Sequence, residues 1–199
     1  MKISHNVRLF CNTQNEFVDA LLHERIDGAY ARQADCLWHA HIEEIRLSGS
    51  APKAMENDHW NWEAKVVDSA RLLSYPTIAI ECNGEPQGLM LLRTDGYYAR
   101  LPCQNGKPLV YVTYLATAPW NQVEIAGIRK FKGVGTLLIR AAVEMSFDVG
   151  FKGRIGLHSL PQAEEFYERH GIEFHGIDAD KQHMKYYELS EQKAAEFVK

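Results

Sequence analysis

The sequence predicts a mixed α/β domain, and three observations carry that prediction. Residues before position 74 hold apolar stripes at helical spacing, β-rich runs begin at Tyr75, and strand and helix patterns alternate from Leu109 to Leu189. The 199 residues suit one domain. A chain of this length buries roughly 70% of its unfolded surface and needs no disulfide or metal staple. Hydrophobic residues at 46% and charged residues at 24% exclude intrinsic disorder as the main description. The expected organisation is a single domain over residues 1–199: a helical N-terminal portion over 1–73, a core over 74–189 and a tail over 190–199.

Thr13 and Glu16 stand in capping-box spacing, with Phe17, Leu21 and Leu22 following at helical intervals, which predicts a first helix. Ala34, Leu37, Trp38, Ile42 and Ile45 form the stripe of a second helix, and Ser48-Gly49-Ser50-Ala51-Pro52 breaks it. A third helix is expected from Asn57 or Asp58 to about Leu73. Tyr75–Cys82 and Gln87–Leu92 flank Asn83-Gly84-Glu85-Pro86, the pattern of an antiparallel hairpin. Leu109–Ala116 is a further strand. Val134, Leu137, Leu138, Ala141, Ala142 and Met145 lie on one helical face, with Gly150 as the stop. Ser159–Gly171 predicts a short helix, opened by Ser159 and Gln162 in capping-box spacing, and Ile172–His175 and Met184–Leu189 predict two final strands.

The formal charge of −4 leaves no broad basic face, which excludes general nucleic-acid binding by phosphate neutralisation. Cys11, Cys36, Cys82 and Cys103 form no Cys-x-x-Cys pair and read as reduced thiols. The opening MKISHNVRLF lacks the apolar run of a signal peptide, and no stretch reaches the length of a membrane span, so a cytoplasmic protein with no membrane partner is expected. His39 and His41 lie two apart and point to different sides of a helix, so they make no metal pair; no metal is expected.

The stretch that carries chemistry is Lys130-Phe131-Lys132-Gly133-Val134-Gly135-Thr136, which opens a helix after a strand and a loop. The first turn of a helix has N–H groups without intrahelical partners, and the helix dipole adds partial positive charge. Glycines at that point let a phosphate approach the amides closely, and Lys130 and Lys132 add charge. The lysines precede the glycines, unlike a Walker A loop, and Leu138 stands where a dinucleotide fingerprint needs Gly or Ala. On this heptapeptide alone a pyrophosphate cradle and plain strand–helix packing are equally open.

The context resembles the GNAT superfamily of acyl-CoA N-acyltransferases. The glycine segment looks like the family's Arg/Gln-x-x-Gly-x-Gly/Ala signature, Phe166–Ile172 (FYERHGI) looks like its C-terminal FYxxxGF element, and Leu115-Ala-Thr-Ala-Pro119 looks like the end of its central strand. The likeness covers roughly residues 75–189. It implies a mixed, mostly antiparallel central sheet flanked by helices, with residues 74–189 as the cofactor-binding core and residues 1–73 forming part of the acceptor side. It also implies acetyl-CoA as co-substrate. Leu115, Ala116 and Thr117 would pair with the pantetheine arm, and Lys130, Phe131, Lys132, Gly133, Val134, Gly135 and Thr136 would hold the pyrophosphate. Tyr167 stands where many members place the tyrosine that protonates the departing thiolate. A phenol with an ordinary pKa near ~10 keeps its proton at neutral pH and suits that task. The activity implied is N-acetyl transfer to a primary amine, from a small molecule or peptide, by direct attack in a ternary complex.

Three departures from the family pattern matter. Lys130 replaces the usual Arg or Gln. The stretch from Pro119 to Lys130 is longer than usual, so Trp120–Arg129 is expected as a loop over the cofactor or acceptor mouth, either specificity-bearing or neutral. The strand Leu109–Thr117 holds no Asp or Glu, so the base must come from elsewhere: a water chain, Glu81, or His158, for which a structural or solvent-facing role is the stronger reading. That gap keeps a second reading alive, a non-catalytic acyl-CoA-binding sensor or interaction module. Trp38, Trp60 and Trp62 are open between core filling and an acceptor wall for a cationic amine. The tyrosine-rich final strand is also open to pairing across a homodimer.

Overall fold

A computed structural model describes residues 3–49 and 56–198. Positions 50–52 of the expected breaker lie outside them. In chain order the elements are β1 (Ile3–Cys11), β2 (Glu16–Glu24), α1 (Gly28–Leu47), α2 (Trp62–Ser69), β3 (Thr77–Cys82), β4 (Glu85–Arg93) and β5 (Val110–Thr117). A 3-10 turn (Pro119–Asn121), α3 (Val123–Ala126), β6 (Phe131–Lys132), α4 (Val134–Asp148) and β7 (Ile155–Ser159) follow. The chain closes with a 3-10 turn (Pro161–Ala163), α5 (Glu164–Arg169), β8 (Glu173–Asp178), a 3-10 turn (Ala179–Lys181), β9 (Met184–Leu189) and α6 (Glu191–Phe197).

The strands hydrogen-bond in the order β6-β1-β2-β3-β4-β5-β7-β9-β8, a nine-stranded sheet. It is mostly antiparallel, with β5 and β7 paired in parallel. Helices flank it, as the α/β expectation requires. No helix among the described residues is long and apolar enough to cross a membrane. The chain forms two compact units, one running to Leu91 and including Leu115–Leu138, the other made of Leu92–Tyr114 and the chain from Ile139.

In the first unit the expected helix around Thr13–Leu22 is a β-hairpin instead. Leu9 and Cys11 on β1 and Ala20 and Leu22 on β2 are buried with period two, while Phe17 is 57% exposed. The Thr13–Glu16 spacing that imitates a capping box is turn chemistry: Thr13 Oγ1 meets Cys11 Sγ at 3.1 Å, and Asn15 takes the left-handed conformation at φ 55°. The helical N-terminal portion is therefore confined to α1 and α2. Asp27 caps α1, accepting from the Tyr30 amide, and Ala31, Ala34, Trp38 and Ile42 form its buried face. Buried Asp35 docks α2 onto α1, accepting from the Trp62 amide at 3.0 Å and the Glu63 amide at 2.8 Å. That places a carboxylate on the positive end of the helix. The β3–β4 hairpin forms as expected, but its turn is Asn83-Gly84 alone, both at positive φ (55° and 76°) as a type I′ turn requires, while Glu85 and Pro86, expected in the turn, open β4.

In the second unit β7 lies between β5 and β9, with Leu109, Ile155, Leu157, Tyr187 and Leu189 almost fully buried. Glu188, also fully buried, accepts from the amides of Arg100 (2.6 Å) and Leu101 (3.2 Å), from Gln104 Nε2 (2.6 Å) and from the Tyr186 hydroxyl (3.0 Å). Four donors offset the cost of placing a carboxylate there. The parallel ladder comprises Val110–Ile155, Tyr111–Gly156 and Val112–Leu157. Beyond it, His158 and Ser159 pair with Tyr186 and Lys185 of β9. Residues 190–199, expected as a tail, contain α6, whose start is capped by Ser190 accepting from the Lys193 amide.

Candidate functional site

The start of α4 follows the sequence pattern closely. Gly133 is exposed at φ 93°, a conformation L side chains rarely adopt, and a Cβ there would meet nothing within 4 Å. The Leu137 amide donates to the Gly133 carbonyl at 2.9 Å, so the amides of Val134, Gly135 and Thr136 precede the intrahelical ladder. Val134 anchors the turn, being 2% exposed. Lys130 is not directed only to a ligand: Nζ bonds Glu85 Oε2 at 3.0 Å and lies 5.7 Å from the Trp120 ring centroid. Lys132 is exposed, with Nζ over the Phe10 ring at 5.4 Å.

Gly88 in β4 brings the end of β5 and the start of α4 together. A Cβ at this position would stand 2.7 Å from Val134 Cγ1, 3.0 Å from Leu138 Cδ1 and 3.2 Å from the Ala116 carbonyl oxygen. The helix can seat this close to the strands only because that atom is missing. Next to it, fully buried Gln87 is the hub of a polar network. Its Oε1 accepts from Trp120 Nε1 (2.7 Å) and Asn121 Nδ2 (3.0 Å), and its backbone carbonyl accepts from the Ala118 amide (2.9 Å). Asn121 Oδ1 in turn accepts from the Phe131 amide at 2.9 Å, fixing the entry to the glycine turn. Sequence reasoning missed Gln87, Gly88 and Asn121. A glycine inside an apolar strand run is the one local signal that pointed to a close approach.

Trp120–Arg129, expected as a loop, holds the end of a 3-10 turn and the four-residue α3, with residues 127–129 irregular. Asn12 holds its far end by donating through Nδ2 to the Arg129 carbonyl at 2.5 Å, and its backbone amide donates to the Lys130 carbonyl at 3.0 Å. The segment forms one wall of a narrow cleft. Gln122 and Ile125 come from this segment, Thr117 from the end of β5, and Trp38, Trp60 and Trp62 from the helical side. The indoles meet edge to face, Trp38 to Trp62 at 6.5 Å and Trp60 to Trp62 at 5.9 Å between centroids. Gln122 Nε2 donates to the Thr117 carbonyl at 2.7 Å.

In the second unit, His158 has only 2% of its side chain exposed, and both ring nitrogens are engaged. Nδ1 meets the Tyr111 hydroxyl at 2.7 Å and Nε2 meets Asp178 Oδ2 at 2.8 Å. Burial depresses its pKa below the ordinary histidine value, against the pull of Asp178. Burial works against the Asp178 carboxylate too, but its bonds to Arg100 and His158 hold it below the usual carboxylate range. An imidazole bonded at both nitrogens has no lone pair for an incoming ammonium. Glu81 likewise has a partner, His23 Nε2 at 3.2 Å. Tyr167 is 6% exposed and packs against Phe166 and Tyr187, and burial pushes its phenol well above the ordinary value.

No family model and no curated protein matches this sequence. Solved structures do match. A GNAT-family acetyltransferase from Listeria monocytogenes superposes with TM-score 0.56 at 13% identity, over 92% of this chain and 99% of that one. The PaiA N-acetyltransferase of Thermoplasma acidophilum, in complex with coenzyme A, gives TM-score 0.52 at 12% identity, over 85% and 98%. The aminoglycoside acetyltransferase AAC(6')-Ib, also in complex with coenzyme A, gives TM-score 0.52 at 18% identity, over 88% and 98%. At these identities the likeness speaks to architecture, and on it the chain has the fold of the GNAT acetyltransferases.

Proposed function

We propose that this chain is an acetyl-CoA-dependent N-acetyltransferase acting on a primary amine. The observation that carries the reading is the seat at Gly88, where Val134 and Leu138 of a glycine-opened helix lie against Ala116 at the end of β5. This supports a site in which strand backbone and helix amides serve one extended ligand. Two neighbours of the same fold were solved with coenzyme A.

Acetyl-CoA would supply the activated acyl thioester. Leu115, Ala116 and Thr117 align its pantetheine arm by backbone pairing, though the Thr117 carbonyl already accepts from Gln122. The amides opening α4, with exposed Lys132 nearby in sequence, bind the pyrophosphate. A backbone amide at Leu115 or Ala116 stabilises the developing oxyanion. By its place in the FYERHGI motif, Tyr167 gives its proton to the departing thiolate, and its raised pKa keeps that proton in place until then. His158, with both nitrogens engaged, acts as a positioning residue rather than as the direct base.

A second reading, a non-catalytic acyl-CoA sensor, is favoured by that same engagement of His158 and by the absence of Asp or Glu between Leu109 and Thr117. A thiol-reactive dye that follows CoA release separates the two. Release that depends on an added amine supports the enzyme. Binding of acetyl-CoA with no release across a broad amine panel supports the sensor.

A further inference from the structure

We propose that β1 pairs with β1 of a second copy of this chain, antiparallel about a twofold axis at Asn6, and that this edge is a homodimer interface. The sheet has two ends. β6 stands at one of them but covers little of its neighbour, since its ladder with β1 consists of Phe10↔Lys132 and Cys11↔Phe131. Ile3–Leu9 therefore has no strand of the described residues on its outer side. The tyrosine-rich β9, the candidate from sequence, lies between β7 and β8 and has no edge to offer.

The outer edge of β1 is regular. Its pairs with β2 run from Ile3 to Cys11 without a register shift. The Asn12 amide donates outward to the Lys130 carbonyl at 3.0 Å, and this sets the phase: even-numbered residues of β1 turn their N–H and C=O away from β2. Ser4, Asn6 and Arg8, all exposed, thus present their main-chain donors and acceptors outward. Sheet edges are commonly blunted by a proline, a bulge or an outward charge. β8, at the other end, carries such devices. Its register breaks between Phe174 and Ile177, Gly176 sits at φ 110°, and Glu173 and Asp178 are its two ends. Ile3–Leu9 has neither proline nor bulge. Its one permanent charge is turned back along the sheet, where Arg8 lies over the Phe17 ring at 5.2 Å and donates to the Phe17 carbonyl at 3.4 Å.

The sequence of this edge complements itself, which selects a second copy as the occupant. Pairing about Asn6 sets Ser4 opposite the second copy's Arg8, Asn6 opposite its Asn6, His5 opposite its Val7 and Ile3 opposite its Leu9. The outward-facing residues then meet one another and exchange about six main-chain hydrogen bonds. No like charges stand opposite. An axis at Arg8 would set two arginines against each other, and an axis at Ser4 would lose the pairs of Arg8. Ile3, 46% exposed, gains an apolar neighbour. An edge this short makes a reversible dimer rather than an obligate one.

The proposal does not depend on the acetyltransferase reading. Sedimentation velocity of the full chain from about 1 µM to about 500 µM should show the mass rising from 22.7 kDa toward twice that value. Asn6→Pro removes an outward amide and spares the β1–β2 ladder, so it should stay monomeric with unchanged circular dichroism. Asn6→Lys and Asn6→Glu each place like charges at the axis and should each weaken dimerisation at least ~5-fold. An equimolar mixture of those two should dimerise again. That rescue requires residue 6 of one copy to face residue 6 of the other, so it reports the occupant as well as the edge. A parent that stays at 22.7 kDa throughout would overturn the proposal and leave the edge to an extended segment of another protein. Undiminished dimerisation of Asn6→Pro, or no rescue in the mixture, would overturn it as well.

Discussion

Replacing Gly88 with alanine tests the seat of α4 directly. The added Cβ would lie 2.7 Å from Val134 Cγ1 and 3.0 Å from Leu138 Cδ1, both side-chain tips that can turn aside, and 3.2 Å from the Ala116 carbonyl oxygen, which is backbone and cannot. Overpacking of this kind costs about 1–3 kcal/mol. Alanine in a strand interior recovers roughly 0.5–1 kcal/mol of the backbone entropy that glycine loses. The net destabilisation is then about 0–2.5 kcal/mol, and at roughly 2–4 °C per kcal/mol the melting temperature falls by up to about 10 °C. Gly88→Val should fall further, because its extra methyl groups meet the same neighbours. Acetyl-CoA should stabilise both variants less than the parent, since the helix start is pushed away from Ala116. Gly133→Ala is the control: its Cβ meets open space, so its cost is the left-handed backbone alone, about 1–2 kcal/mol. A rise in melting temperature for Gly88→Val with an unchanged response to acetyl-CoA would refute the reasoning.

Three other outcomes follow from the same structure. Tyr167→Phe should lower kcat at least ~10-fold, within the range for losing a general acid, while acetyl-CoA affinity stays unchanged; steady-state kinetics beside calorimetric binding would check it. Gln87→Leu strands the Trp120 donor and leaves Asn121 Nδ2 only its 3.4 Å bond to the residue 87 carbonyl, and should cost about 1–3 kcal/mol, seen as a lowered denaturant midpoint. His158 has its folded pKa depressed by burial, so its contribution to stability is complete above the unfolded value near ~6.5 and is lost as pH falls from there toward the folded value. Melting temperatures across pH 7.5 to 5.5 should therefore decline, and His158→Asn should flatten that decline.

Local signals made much of the core legible. The Asn83-Gly84 pair fixes its turn chemically, and the α4 stripe has no competing period, so β3–β4 and α4 follow from residue order alone. Thr13–Leu22 misleads because its apolar residues satisfy two periods. Phe17, Leu21 and Leu22 suit a helix, while Val18, Ala20 and Leu22 suit a strand, and pairing with β1 and β3 selects the second. The start of α6 is marked by Ser190 and Glu191, a weak pair of signals in a short helix. The glycine turn is readable because a left-handed residue at a helix start leaves a trace in composition. The supports around it are not, because their roles exist only through distant partners. Lys130 meets Glu85, Phe131 meets Asn121 and through it Gln87, and His158 meets Tyr111 and Asp178. Nothing in the sequence near His158 tells that both of its nitrogens are engaged.

The most direct measurement of the central claim is a calorimetric titration of the protein with acetyl-CoA, with ATP as a control and Gly133→Glu beside the parent. The account predicts one-to-one binding of acetyl-CoA, no binding of ATP at matched concentration, and loss of binding in Gly133→Glu, which sets a carboxylate at the proposed pyrophosphate site on a Cβ that meets no neighbour. Absence of heat with the parent at millimolar acetyl-CoA, or equal binding by the Gly133→Glu variant, would contradict it.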